Sequence, residues 1–409
     1  MKVAVLAHSF PRFPGDTHGP FVKHLSEALA RRGHQVWALI PFDPELGEDP
    51  DTPLTIESFR YIRPDRWHLL GYSRTLQKDV RLKLWAYLQS PLYFFFAERA
   101  LTRLVRREGI EMIHAHWILP NGFVAGRVSA STGVPYAATL HGSDVFMAER
   151  NPLFGRMARY ALAGAAHVTS CSGELRDRLL ALGGAEHADK VLLVPNGTDL
   201  VVDPAGPGAG GAGGGTVPGP RRVVAVGRMV YKKGFEYLID AAPQILERFP
   251  DVEIVIGGGG EVLPELERRA ERLGVSERVR FPGPLSHGQV LDLISSGELF
   301  VMPSVRDPAG NVDGLPIVVL EAMAAGKPVV ATDVSGMPLA VTDGESGCLV
   351  PERDARALAD AVTELLAEPD RARRLGEAGR RRVEDDLNWD SVAAIHDRLY
   401  RAAVARSSS

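Results

Sequence analysis

Two stretches of this 409-residue chain, opening at Lys2 and at Arg222, repeat one arrangement that leaves few folds open. In the first, a short apolar strand, Lys2 to Ala7, runs into a loop rich in Pro and Gly. A helix is expected from about Pro20, with Phe21, Leu25 and Leu29 on one face, Arg31 and Arg32 in its last turn and Gly33 as its cap. A second strand follows at Gln35 to Ile40. In the second stretch, Arg222 to Val226 reads as a strand, Gly227 to Gly234 as a loop, Phe235 to about Arg248 as a helix and Val252 to Ile256 as a strand. Strands alternating with helices at this spacing form βαβ units, because parallel strands need a crossover long enough to hold a helix. Two separate starts predict two doubly wound α/β domains.

Between them lies Asp203 to Pro220, nearly all Gly, Ala and Pro. Such a segment buries too little side chain to offset its chain entropy, and it is expected to be a flexible linker. It separates an N-terminal domain, residues 1–202, from a C-terminal domain, residues 221–387. Its glycines are no phosphate loop, since no strand runs straight into them and no helix follows. Asn388-Trp389-Asp390 opens a last helix, 388–405, and a disordered tail is expected at Ser407 to Ser409. With 45% hydrophobic and 24% charged residues, disorder and collagen-like repeats are excluded as the main architecture. Cys171 and Cys348 lie far apart and neither has a CxxC partner, which argues against a disulfide framework or thiolate zinc site and for a reducing cytoplasm. A net charge of −4 disfavours nucleic acid as a partner. The opening apolar stretch is too short for a signal peptide, and no uninterrupted apolar run reaches membrane-spanning length.

The first domain has an unusual middle. From Glu57 to Glu108 there are eleven Arg or Lys against five Asp or Glu, interleaved with Trp67, Tyr72, Trp85, Tyr87 and Tyr93 to Phe96. This is either a pair of helices with a core face and a solvated basic face, or an amphipathic patch that meets an anionic membrane or a lipid-linked substrate.

Three groups of residues point to chemistry. The chain has only eight lysines, and two adjoin in Gly227-Arg228-Met229-Val230-Tyr231-Lys232-Lys233-Gly234. This loop follows a parallel strand, the end at which open α/β sheets bind ligands, and leads into a helix N-terminus. Cations there make an anion site suited to a diphosphate; the alternative is a solvated turn. Next, Asp313-Gly314-Leu315-Pro316 precedes a helix expected to begin near Leu315 or Pro316 and to end before Gly326. Asp313 would serve equally as its N-cap. Glu321 is the only charge between Leu315 and Ala325, and a buried carboxylate needs a partner, which two ligand hydroxyls would supply. Eight helical residues would span about 12 Å, the length of an extended nucleotide sugar. Finally, two strands end in histidines, at His114-Ala115-His116-Trp117 and at Leu140-His141-Gly142-Ser143-Asp144. No Asp, Glu or Cys at ligand spacing completes a site with His114 and His116, so no metal is expected. The chain has no GxGxxG after its first strand, no GxxxxGK[ST] and no GxSxG, which disfavours dinucleotide dehydrogenases, P-loop NTPases and serine hydrolases.

Taken in order, these segments resemble the retaining glycosyltransferases of family 4. The likeness runs through Gly15 to Pro20, His114-Ala-His-Trp, His141-Gly-Ser-Asp144 and Val194-Pro-Asn196-Gly197-Thr-Asp199. It continues through Gly227-Arg228 with Lys233-Gly234, Gly257 to Glu261, Phe281-Pro-Gly283, Met302-Pro-Ser304 and Asp313-Gly-Leu-Pro leading to Glu321. The resemblance implies the GT-B architecture, two facing Rossmann-like domains with an interdomain cleft, the closing helix joining the first domain. It implies transfer of a sugar from a nucleoside diphosphate sugar, UDP or GDP, to an acceptor hydroxyl in polysaccharide, glycolipid or natural-product synthesis, with retention at the anomeric carbon and with neither metal nor cofactor.

The resemblance also implies roles for matching positions. Arg228 and Lys233 would hold the donor diphosphate, Asp313 the donor sugar and Glu321 the ribose. The amides of Gly314 and Leu315 would cradle sugar and phosphate, His141 would contact the donor sugar, Gly19 would approach the phosphates, and the backbone near Phe281 to Pro284 would read the base. Two positions depart from the family: its first acid is usually Glu, here Asp313, and Gly-x-Pro-Glu is here Gly336-Met-Pro-Leu339. The acceptor is open, with a lipid-linked one and a peripheral contact at the inner face of the membrane in view. The alternatives are a non-catalytic nucleotide-sugar sensor and an epimerase of the same fold.

Overall fold

The computed structural model of the chain describes residues 1–16, 18–68, 70–71, 76–77, 81–82, 84–199 and 221–407. The stretch 203–220, Tyr72, the side chains of Trp85 and Tyr87, and Ser408–Ser409 lie outside the described residues. The described chain forms two units, Met1–Val194 with Trp389–Ser409, and Pro195–Asn388.

The strands of the first unit are β1 (Lys2–Leu6), β2 (Gln35–Pro41), β3 (Thr55–Phe59), a two-residue antiparallel pair β4 (Leu76–Gln77) and β5 (Arg81–Leu82), then β6 (Met112–His116), β7 (Tyr136–Leu140), β8 (His167–Ser170) and β9 (Val191–Leu193). Seven of them form one parallel sheet in the order β3-β2-β1-β6-β7-β8-β9. The chain builds outward from β1 to β3, then returns to the other side of β1 at β6. The order reverses between β1 and β6, where the two outgoing loops part and leave a crevice. Val3 to Leu6 and Met112 to His116 are buried along their whole length, as sheet strands covered on both faces must be.

The second unit repeats the plan. Strands β10 (Arg221–Val226), β11 (Val252–Gly257), β12 (Val279–Arg280), β13 (Leu299–Met302), β14 (Val329–Thr332) and β15 (Cys348–Val350) form a parallel sheet in the order β12-β11-β10-β13-β14-β15. Its order reverses between β10 and β13, so Gly227 and Pro303 leave the sheet side by side.

Local chemistry places the helices. Pro20–Arg31 starts behind Gly19, whose left-handed φ of 63° and close seat on Ser9 admit no side chain: a Cβ would stand 2.6 Å from the Ser9 carbonyl oxygen. Among the described residues between Glu57 and Glu108 there is one long helix, Leu84–Glu108, preceded by a 3-10 turn at Asp65–Trp67, rather than a pair of helices. Pro91 lies inside it; proline there forfeits a single backbone hydrogen bond, and the core contacts of Tyr93, Ala97, Leu101 and Leu104 hold the helix across that gap. The closing helix, Trp389–Ser407, packs on the first unit. Its buried Tyr400 hydroxyl lies 2.6 Å from His114 Nδ1, Asp397 meets His34 Nε2 at 2.9 Å, and Asp390 pairs with Arg31 at 3.1 Å.

Candidate active site

In the second unit, the loop after β10 is shaped by glycines. Gly234 has φ 64°, and a Cβ on it would stand 1.9 Å from the Pro303 carbonyl oxygen, so only glycine lets the turn 231–233 lie against the end of β13. Val305 N–H then donates to the Lys232 carbonyl at 2.9 Å. Gly227 N–H and Met229 N–H donate to the carbonyls of Gly257 and Gly259 at 3.0 and 2.9 Å. The glycine run after β11 thus braces the loop from beneath, and Gly258 N–H ties it to Gly283 at 3.0 Å.

The brace aims two ammonium groups at one carboxylate. Lys233 Nζ lies 2.7 Å from Asp313 Oδ2, and Lys232 Nζ lies 3.1 Å from Asp313 Oδ1. Lys233 is buried, its stem passing over Gly227, where a Cβ would stand 3.2 Å from Lys233 Cε. Burial alone would raise the Asp313 carboxyl; the charges of Lys233 and Lys232 prevail and hold it well below the usual carboxylate range. Asp313 is therefore no helix cap. The helix runs Ile317–Ala324 behind Pro316, with no side-chain cap, so the segment between Asp313 and Glu321 is helical only in its second half. Pro316 has an extended ψ of 123°, which starts the helix later than the sequence suggests.

The stretch 313–315 is pinned by its carbonyls. Ser335 Oγ donates to Asp313, Gly336 N–H to Gly314 at 3.1 Å, and Asn196 Nδ2 to Leu315 at 3.1 Å. No described group accepts from the N–H groups of Gly314 or Leu315. Two helices, Phe235–Arg248 and Ile317–Ala324, begin here without a side-chain cap, and their positive ends add to the two lysines. Arg228 is exposed on the same loop. Glu321 is mostly buried, its Oε1 3.6 Å from Nδ1 of an exposed His287. Of these groups, Lys233 and Asp313 carry expected roles from the sequence, and Lys232 and His287 do not. Lys232 was marked by adjacency; nothing in the sequence marks His287.

In the first unit, His141 stands at the end of β7. Its Nε2 lies 3.0 Å from His116 Nδ1, so one nitrogen carries the proton and the other accepts it. Its ring packs against Trp117 and Phe21, with centroids 4.4 and 4.7 Å away. Burial, reinforced by neighbouring His114 and His8, keeps His141 neutral, well below the ordinary histidine range. Asp144, fully buried, binds both loops: its carboxylate accepts from Ile118 N–H at 2.7 Å, Gly142 N–H at 2.9 Å and His141 N–H at 3.3 Å. Burial pushes its carboxyl up to about 6. Its place two residues beyond a strand-end glycine is the only signal of this role in the sequence.

The paired histidines on β6 serve packing. His114 bonds Thr139 Oγ1 at 2.7 Å and Tyr400, while His116 meets His141. Among the described residues no three His, Cys, Asp or Glu are placed to hold a metal ion. Beside Trp117 opens a cavity of about 140 Å³ lined by His8, Tyr93, Trp117, Leu119, Met147 and Met157 among others. Trp117 holds φ 69°, uncommon for a side chain of its size, and its ring spans from His8 to His141.

The chain matches two family descriptions, "Glycosyltransferase Family 4" over residues 19–202 and "Glycosyl transferases group 1" over residues 214–382. It is 28% identical to the glycogen synthase of Mycobacterium tuberculosis over 98% of this chain and 95% of that protein. It is 32% identical to the alpha-maltose-1-phosphate synthase of Mycolicibacterium smegmatis over 73% of this chain and 80% of that one. Among solved structures, the sucrose-phosphate synthase from Thermosynechococcus elongatus superposes with a TM-score of 0.74 at 25% identity, over 99% of each chain.

Proposed function

The chain belongs to glycosyltransferase family 4 and has the GT-B fold, and from that premise we propose which of its groups carry the transfer and how. The protein is a nucleotide-sugar glycosyltransferase of carbohydrate biosynthesis. The reading rests on one observation: two lysines, two uncapped helix starts and the unbonded amides of Gly314 and Leu315 meet around Asp313.

An ammonium carries three donors, so Lys233 can keep Asp313 and still bind a phosphate oxygen. Asp313 is the strut that fixes the lysine and offers its remaining lone pairs to a donor-sugar hydroxyl. Arg228 adds a second cation to the diphosphate, and Glu321 accepts from the ribose hydroxyls of UDP or GDP. Gly19 brings backbone close to phosphate. In the reaction the bond from the anomeric carbon to the diphosphate oxygen breaks, and negative charge grows on that oxygen. Groups fixed before the reaction stabilise it best. The acceptor hydroxyl forms the new bond on the face the diphosphate leaves, and its proton passes to the leaving phosphate oxygen, which gives retention without a protein base. The cations and amides supply the neutralisation a metal ion would otherwise bring. His141, held neutral, meets a sugar hydroxyl as donor or acceptor. The apolar cavity beside Trp117 favours an acceptor with an apolar portion, such as a lipid-linked one.

The test is thermal shift with UDP-, GDP-, ADP- and dTDP-sugars, with and without EDTA, followed by NMR of the product. Ligand at about 100 times its dissociation constant adds about 2.7 kcal/mol of stability. One nucleotide should raise the melting temperature, EDTA should not lower it, Glu321→Ala should abolish it, and the product should keep the donor's anomeric configuration. An inverted product refutes the mechanism; a shift unaffected by Glu321→Ala refutes the ribose assignment.

A further inference from the structure

Helix Leu84–Glu108 turns one continuous row of side chains to solvent. Leu88 is 61% exposed, Leu92 41% and Phe95 60%, and the row runs on through exposed Arg99, Arg103 and Arg106. The steps between these six are four, three, four, four and three residues, the spacing that holds one face of a helix. The face is apolar over its first half and arginine over its second, each about 10 Å long at 1.5 Å per residue. The opposite face is core, through Tyr93, Ala97, Leu101 and Leu104.

Among the described residues, the arginines of the row are set apart by having no carboxylate partner. Arg107 and Arg127, nearby, are held by Glu57 and Glu98. Arg99, Arg103 and Arg106 meet no carboxylate among the described residues. Three large exposed apolar side chains in one row mark an interaction surface, and three arginines continuing the same row, without a carboxylate partner among the described residues, favour anions there. A bilayer with anionic headgroups supplies both at one surface: hydrocarbon below and phosphate above. No described helix is long and apolar enough to cross a membrane, so contact through this face would be peripheral.

We infer that this face docks the protein on an anionic lipid surface. Leu88, Leu92 and Phe95 enter the boundary between headgroups and acyl chains, and Arg99, Arg103 and Arg106 bind the phosphate layer. The helix meets the bilayer tilted, its N-terminal half deeper. Tyr93 and Phe94 of the same helix line the apolar cavity on its inner side, so docking places that cavity about one helix diameter, ~10 Å, from the lipid surface. The inference stands independently of the sugar-transfer mechanism.

Sedimentation of the full chain with vesicles tests it, using phosphatidylcholine alone and phosphatidylcholine mixed with phosphatidylglycerol. The protein should partition onto the mixed vesicles, and salt should weaken this. A basic residue near an anionic surface contributes about fivefold, so Arg99→Gln with Arg103→Gln and Arg106→Gln should lower partitioning roughly 100-fold. Leu92→Ser with Phe95→Ser should lower it at least about tenfold. Arg356→Gln, an exposed change in the other unit, should leave it unaltered. These positions are exposed, so melting temperatures should not move, which separates lost docking from lost folding. Equal partitioning onto both vesicle types, or stripe variants that bind as the native chain does, would overturn the inference. So would self-association lost in Phe95→Ser with no vesicle binding.

Discussion

Gly234→Ala tests how the second unit builds its anion site. Two costs add there. The residue holds φ 64°, which an alanine adopts at about 1–2 kcal/mol. Its Cβ would also stand 1.9 Å from the Pro303 carbonyl oxygen, at least about 1 Å too close for any contact of this kind, and both groups are backbone. Relieving that overlap means parting the 231–233 turn from the end of β13, for about 1–3 kcal/mol more. Gly274→Ala is the matched control: its φ is 68° and nothing lies within 4 Å of its Cβ position. Urea unfolding followed by circular dichroism should therefore show a loss of about 3 kcal/mol for Gly234→Ala and about 1 kcal/mol for Gly274→Ala. The first should also weaken nucleotide binding about tenfold or more, because Lys233 moves with the turn; the second should not. Equal losses in the two variants would refute the argument that close approach, rather than backbone conformation, requires glycine at 234.

Three further outcomes are expected. Lys233→Ala should lower kcat/KM by about 10²–10³, the effect of removing a preorganised group from developing charge, while Lys233→Arg should recover only part of it. Asp144→Asn places an amide donor against backbone N–H groups, so it should cost about 2–3 kcal/mol in denaturant unfolding and lower transfer by displacing His141. The unfolding free energy should fall as pH drops from about 6.5 towards 4. Burial lowers His8 and His167 to about 4 and His396 to about 3, so the unfolded chain takes up protons first and stability is lost on acidification. Asp144, raised to about 6, acts in the opposite sense between its unfolded value and that pH, but it is one group against several histidines. At about 1.4 kcal/mol per pK unit, the net loss should reach several kcal/mol, and a flat pH profile over that range would contradict the histidine packing.

Near-neighbour signals decided what the sequence made legible. The helix from Pro20 and the one from Phe235 to Arg248 lie where proline, glycine and apolar spacing place them. The two parallel sheets follow from strand and helix alternation, and the ordered motifs from Gly15 to Glu321 mark the family before any coordinate is known. Those features depend on residues a few positions apart, so a linear reading reaches them. Asp313 shows where that reach ends. From sequence it reads equally as a cap or as a ligand group; the fold makes it the counter-ion of Lys232 and Lys233, eighty residues away, because Gly234 lets that turn lie on the end of β13. The sequence excludes a metal at His114 and His116 but names no partner for either; the closing helix brings Tyr400 to the first, and the end of β7 brings His141 to the second. Pro91 belongs inside a helix only because that helix packs on a core. The sequence alone determined the class of fold and the family, since both are written in local periodicity and motif order. The charge partners, the neutral histidines and the exposed row on helix Leu84–Glu108 were decided by tertiary structure, since pairing and burial depend on residues that only the folded chain brings together.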